Sequence, residues 1–375
     1  MASFNDVRNE YFKNADDKKK ALNDVMGKIQ KIHGKESISV LDNKVNLDIP
    51  HVPSGIMSLD LAVGIGGLPK GRIIELYGDN SAGKTTLALN YIANAQRVGA
   101  IAAFVDAEHA LDPKWARKRG VILEELLISQ PDNGEEALEM VDNLVQTNQV
   151  GIIVVDSVAA LVPRAELEKD MGESSMGRQA LLMSQACRKL TGVVAKSGTI
   201  VIFLNQIRKN IGGYGNPNVT TGGEALKFYA SLRFEMARKE TLKKGEESIG
   251  VKTRVKIVKN KVAPPFTECT FDLFFDDGYD FEGSIIEEAV KYSLIQKGGA
   301  WYTYKSEKFQ GLNGVKTYLK ANPSEIESLR ENILLKVKEK GLSSEEVLLV
   351  EDEKPKRQMK VASQVLEEPK EEDET

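Results

Sequence analysis

Short runs of apolar residues alternate along the chain with segments of helical periodicity. Gly71 to Tyr77, Ile101 to Val105, Gly151 to Val155 and Thr199 to Leu204 are apolar at nearly every position. Runs without polar alternation predict parallel strands covered on both faces, and hence an α/β class with a mostly parallel central sheet. Thr86 to Ala93 predicts a helix directly after the first run, with Gly99 as its left-handed stop. Val251, Thr253, Val255 and Ile257 alternate with Lys252, Arg254 and Lys256, which predicts a strand with one covered face. Near the N-terminus Ala21, Leu22, Val25, Met26 and Ile29 form one helical stripe, opened by Asp16 and Asp17 and stopped by Gly34. That stripe must cover itself on its own core or on a neighbouring subunit.

These patterns divide the chain into four expected parts. Residues 1–45 form the helical segment and 46–280 the α/β core. Residues 281–345 form a smaller lobe with helices near Ile285 to Tyr292 and Ser324 to Lys338. Residues 346–375 form an acidic tail, read as disordered. The tail changes the meaning of the net charge of −4, because it concentrates acid at one end and leaves the rest compatible with a polyanionic partner. Two cysteines, Cys187 and Cys269, lie far apart and predict reduced thiols rather than a metal site or disulfide. No run reaches the length of a membrane span and no secretion signal is visible, so the expected compartment is the cytoplasm and no membrane partner is expected.

Between the first strand and its helix stands Gly78-Asp79-Asn80-Ser81-Ala82-Gly83-Lys84-Thr85, a G-x-x-x-x-G-K-[ST] phosphate loop in its required context. Glycines let backbone N–H groups curl around phosphate oxygens, and the helix start adds further donors. Lys84 reaches terminal phosphates, and the Thr85 hydroxyl and Asp156 are the expected Mg²⁺ ligands. The later apolar runs end on Asp106-Ala107-Glu108-His109, Asp156-Ser157 and Asn205-Gln206. In a parallel sheet these ends share one edge, so Glu108, Asp156 and Gln206 should meet the loop. Glu108 is the candidate base for water. Asp106, still at the strand edge, and Asp112, in a turn before Pro113, fit less well. Gln206 suits a γ-phosphate sensor. His109 reads as a structural hydrogen bonder. Lys259 and Lys261, two apart, share a strand face and are either solvated or aimed at nucleotide on an adjacent subunit.

Two glycine-bearing stretches, about 166–179 and 208–221, are too long for idle connectors. They carry Met176, Gly177 and Arg178, and Arg208, Lys209, Ile211, Gly212 and Gly213. With Arg188 they offer phosphate-neutralising and base-wedging side chains for DNA. The lobe carries lysines around Trp301, Tyr302 and Tyr304, a surface either for duplex DNA or for solvent.

Strings such as Val105-Asp106-Ala107-Glu108-His109-Ala110-Leu111-Asp112-Pro113, Met183-Ser184-Gln185-Ala186, Asn205-Gln206-Ile207-Arg208 and Leu226-Lys227-Phe228-Tyr229-Ala230-Ser231 resemble the RecA family of bacterial recombinases. The resemblance runs from about Ala21 to the acidic tail. It implies a RecA-like P-loop ATPase core, an N-terminal arm for docking on a neighbour and a small α/β C-terminal lobe. It implies a DNA-dependent ATPase that forms filaments on single-stranded DNA, exchanges strands with double-stranded DNA, and supports autocleavage of a LexA-like repressor in an SOS-type response. It assigns Glu108 as base, Gln206 as sensor, Lys259 and Lys261 as cations acting across the subunit seam, and Asp112 and Trp115 as neighbours of the adenine. ATP contacts then run from Gly78 through Thr86. The chain departs from the family at Asp79-Asn80-Ser81-Ala82, where Pro-Glu-Ser-Ser is usual, at Leu181, where arginine is usual, and at Glu224, where asparagine is usual. The rival readings are a hexameric DNA motor ATPase and a non-hydrolysing, nucleotide-gated DNA scaffold.

Overall fold

A computed structural model describes residues 15–34, 37–38, 49–170, 177–209 and 218–351. The chain divides into two compact units at Ile49 and Pro50. The first holds helix α1 (Ala15–His33), which closes at Gly34, whose N–H donates to Gln30 O at 3.0 Å. The apolar stripe predicted here is present: Leu22 is 56% and Val25 49% exposed, while Met26 and Ile29 are half-buried.

The second unit begins with β1 (His51–Val52), α2 (Met57–Val63) and β2 (Leu68–Pro69), β1 and β2 pairing antiparallel. The core follows as β3 (Ile73–Gly78), α3 (Lys84–Arg97), β4 (Ile101–Asp106), α4 (Pro113–Lys118), β5 (Leu126–Ser129), α5 (Gly134–Gln146) and β6 (Val150–Asp156). It continues through α6 (Arg164–Leu167), α7 (Arg178–Ser197), β7 (Ile200–Lys209), β8 (Asn218–Thr220) and α8 (Ala225–Tyr229). Then come β9 (Leu232–Lys244), β10 (Glu247–Asn260), β11 (Glu268–Phe274) and β12 (Gly278–Tyr279). The sheet order is β12-β11-β10-β9-β3-β7-β6-β4-β5, with β8 paired to β7. From β9 to β5 the pairings are parallel; β9 through β12 are joined antiparallel.

The unbroken apolar runs are explained by two cores, one on each face of this sheet. Ile74 and Leu76 of β3 join Leu87, Tyr91 and Phe104 on one side. Ile73 joins Val105, Val155, Phe203, Val141 and Leu190 on the other. Along β10 the predicted alternation holds, Val251, Thr253, Val255 and Ile257 being buried. Cys187 and Cys269 are free and buried, and burial pushes the Cys187 thiol up to about 12.

The lobe comprises α9 (Phe281–Lys291), β13 (Gln296–Gly298), β14 (Trp301–Tyr304), β15 (Glu307–Gln310), α10 (Gly311–Ala321) and α11 (Pro323–Glu351). Its own core of Ile285, Ile286, Val315, Leu319 and Ile333 takes in Met57 of α2. The three-stranded sheet and α10 are additions to the two helices expected here. Strands of three or four residues leave too short a pattern to read. The backbone of α11 continues to Glu351, into the segment assigned to the tail; residues 352–375 lie outside the described ones.

Candidate active site

The phosphate loop is shaped by its contact with β9. Gly78 has φ +150°, and a Cβ there would lie 1.8 Å from Met236 O, so only glycine lets β3 run past β9 into the loop. Asp79 N–H then donates to that same oxygen at 3.1 Å. Gly83, at φ +91°, turns the chain into α3. Ala82, one of the departures from the family pattern, is fully buried in the core, where a small apolar side chain fits. Lys84 Nζ donates to Asp79 O at 2.7 Å and Gly78 O at 3.2 Å. Burial holds its pKa below the usual lysine value, against the pull of Asp156, Asp79 and Glu108.

The parallel register brings the strand ends level. Gly78 lies opposite Gln206, and Asp106 opposite Asp156. Thr85 Oγ1 donates to Asp156 Oδ2 at 2.9 Å. Burial pushes Asp156 up to about 6; the Thr85 bond opposes this, the charges of Glu108 and Asp106 add to it, and Lys84 lowers it. Glu108 is exposed, and its Oε1 accepts from Gln206 Nε2 at 3.1 Å and from the Ser157 hydroxyl. Asp106 is consumed by its turn, accepting from the N–H groups of Ala110 and Leu111 and from Gln130 Nε2. His109 is exposed, at φ +55°.

Below these residues runs a polar chain that the sequence reading missed. Glu75 is fully buried and takes Arg233 Nε at 2.5 Å and Asn205 Nδ2 at 2.9 Å. Asn205 Oδ1 accepts from Gln206 N–H at 2.8 Å and from Thr221 Oγ1, while Nδ2 also reaches Thr221 O at 3.0 Å. Gln206 is thereby tied to the end of the second glycine-bearing loop. The available signal was one glutamate inside an otherwise apolar strand, because a buried carboxylate demands partners.

Beside the loop is a cavity of about 440 Å³ lined by Thr86, Asp112, Trp115, Leu273, Phe274 and Phe275. Asp112 caps α4 by accepting from Lys114 N–H at 2.8 Å, and Trp115 Nε1 donates to Thr86 Oγ1 at 3.3 Å. Among the described residues no three His, Cys, Asp or Glu converge as a metal cage.

Of the DNA candidates, Met176, Ile211, Gly212 and Gly213 lie outside the described residues. Gly177 caps α7 at φ +81°, and the exposed Arg178 donates to Ala165 O at 3.2 Å. Exposed Arg208 and the backbone of Lys209 end β7, which pairs with β8 at Ile207 and Thr220 and so closes the base of the second loop. Gly222 and Gly223 seat its exit on α7: a Cβ would lie 3.1 Å from Met183 Cγ and 2.7 Å from Ala180 Cβ respectively. Both loops therefore open beside the start of α7. Arg188 is exposed ten residues, ~15 Å, farther along α7 than Arg178. Glu224, where the family usually has asparagine, is paired with Lys227.

The shared strand face expected for Lys259 and Lys261 is not found. The register shifts between Ile257 and Lys259, and Lys261 lies beyond the end of β10. Lys259 Nζ instead donates to the Lys227 and Phe228 carbonyls of α8 at 2.6 and 2.7 Å. Burial brings its pKa down to about 8, assisted by Lys261 and Arg233 and opposed by Glu75. Through Arg233 it is level with Glu75, ~10 Å before Gly78 along the strand direction and two strands aside. In the lobe, Lys291, Lys305, Lys316 and Lys320 pair with carboxylates, while Lys297 and Lys308 flank the half-exposed Trp301.

The chain matches the model of the RecA N-terminal domain over residues 20–280 and that of the RecA C-terminal domain over 283–338. It is 51% identical to Protein RecA of Acidothermus cellulolyticus over 326 residues, 86% of this chain and 93% of the relative. It is 53% identical to Protein RecA of Frankia alni over the same shares of both chains. Against Protein RecA of Legionella pneumophila (strain Corby) it is 52% identical, over 88% of this chain and 95% of the relative. A phosphate loop that meets Glu108, Asp156 and Gln206 on the carboxyl edge of a parallel sheet accords with these matches, and the chain belongs to the RecA family, as a DNA-dependent ATPase and recombinase of DNA repair.

Proposed function

We propose that ATP binds at the seam between two protomers of a helical filament on single-stranded DNA, so that its arrival and hydrolysis govern the grip on DNA. The observation that carries this is the split of the site. Lys84, Thr85, Glu108, Asp156 and Gln206 gather at one end of the sheet, while Lys259 and Lys261 lie toward the other. Cations so placed suit a neighbour's triphosphate better than their own protomer's. The exposed stripe of α1, in an arm of residues 1–45, is the docking element toward that neighbour.

Within the site, Glu108 takes the proton of the attacking water and Gln206 senses the γ-phosphate. Thr85 and Asp156 fit Mg²⁺, a hard cation held by one or two protein oxygens together with phosphates, where it neutralises phosphate charge. Base contacts fall to Asp112 and Trp115, and DNA contacts to the two loops beside α7. Sequence-independent phosphate contacts leave homology testing to base pairing. Trp301, Lys297 and Lys308 suit a double-stranded DNA partner. Action in the cytoplasm and support of a LexA-like repressor's autocleavage complete the reading; among the described residues no helix is long and apolar enough to cross a membrane.

Mixing tests the seam. Filaments of Glu108→Ala or Lys259→Ala protomers alone should hydrolyse ATP poorly. A random equal mixture has about a quarter of its seams with both residues whole, and should recover about a quarter of wild-type turnover. A mixture as inactive as its parents would place both residues at one protomer's nucleotide.

Proton uptake gives a second check. A lysine held down by burial regains its proton when an anion arrives. ATP-driven assembly near pH 8 should therefore take up protons in a weakly buffered indicator assay, and Lys259→Ala should reduce that uptake.

A further inference from the structure

The cavity beside the phosphate loop has two walls from distant parts of the chain: Trp115 of α4, and Phe274 with Phe275 at the end of β11. Arg119 joins them. Its guanidinium carbon lies 4.3 Å from the centroid of the Trp115 ring. Nη1 donates to Asp277 O, and Nη2 to Asp276 O at 3.2 Å. Both carbonyls belong to the turn directly after Phe275. Nε is buried without a partner, so this lodging is held by stacking and by two carbonyls. A planar fork can stack and donate twice at once; a lysine cannot. Gly278 leaves the room: a Cβ there would lie 1.3 Å from Nη1.

The indole is thus fixed at two places, by Thr86 at its N–H edge and by Arg119 on one face. Trp115 lines the cavity, so a flat base entering it would meet this indole. We propose that Arg119 is a positioning residue for the nucleotide base, locking Trp115 and the turn after Phe275 into a preformed slot. The inference rests on the reading that the base of ATP enters this cavity. A slot ordered in advance spares the ordering cost on binding, and the guanidinium–indole stack adds its own share to rigidity.

Calorimetric titration of the full chain with ATP and, separately, with inorganic tripolyphosphate tests it. Tripolyphosphate uses the loop and needs no base slot. Arg119→Leu should weaken ATP binding about tenfold while leaving tripolyphosphate binding within about twofold of wild type. Arg119→Lys, which keeps the charge and loses the fork, should fall between. Unchanged ATP affinity in Arg119→Leu overturns the inference. So does equal weakening of both ligands, which marks general damage to the site. Wild-type protein that holds tripolyphosphate as tightly as ATP would remove the base from this cavity and take the underlying reading with it.

Discussion

Lys84→Ala should lose at least about a hundredfold in ATP affinity, ~3 kcal/mol, and with it all nucleotide-driven assembly on DNA. The size of the effect follows from where the ammonium sits. In the free protomer it is half-buried and spends its protons on the Gly78 and Asp79 carbonyls. Burial already disfavours its charge, so the residue is poised to gain from an arriving polyanion. Around it stand Asp156, Asp79 and Glu108. Without Lys84 these three acidic groups face the triphosphate without the ammonium that offsets them. The backbone cradle should survive, because Gly78 and Gly83 set its shape through contacts with Met236 and Leu273 that Lys84 does not make. Calorimetry of ATP binding and electron microscopy with single-stranded DNA read the two consequences. Normal nucleotide-dependent filaments in the mutant would contradict the assignment of the loop.

What could be read from the chain was what local pattern carries. The strand runs were legible because burial on both sheet faces leaves no polar alternation. Gly78 to Thr85 was legible because its glycines and lysine are contiguous. Glu108, Asp156 and Gln206 could be placed together because parallel strands end on one edge, and that rule needs only strand ends. The partners of Lys259 and Arg119 obey no such rule. Lys259 meets the end of α8 some 31 residues earlier in the chain. Arg119 reaches a turn 158 residues later. A two-residue spacing suggested a shared strand face for Lys259 and Lys261, and a register shift with an early strand end removed it. Glu75 was passed over because one acidic residue does not break an apolar run, although its burial forces the network that joins Gln206 to Thr221.

Glu108→Ala should bind ATP and DNA within a few-fold of wild type and lose about a hundredfold or more of DNA-stimulated turnover. The carboxylate's hydrogen bonds go to Ser157 and Gln206 rather than to the loop, and its backbone N–H donates to Asp156 O at 3.1 Å, so ATP binding should depend little on its side chain. Turnover does, if it is the base, because the carboxylates that end β4 and β6 are engaged. Asp106 is occupied by two N–H groups and Gln130, and Asp156 is tied to Thr85. The alternative is that Glu108 only holds Gln206 and Ser157 in place through Oε1. Glu108→Gln separates the two roles. A carboxamide oxygen can still accept from both partners but cannot take a proton from water. Turnover as low in Glu108→Gln as in Glu108→Ala, measured as phosphate release with single-stranded DNA, identifies proton transfer. Substantial recovery in Glu108→Gln would make the residue a support for Gln206 and move the base elsewhere.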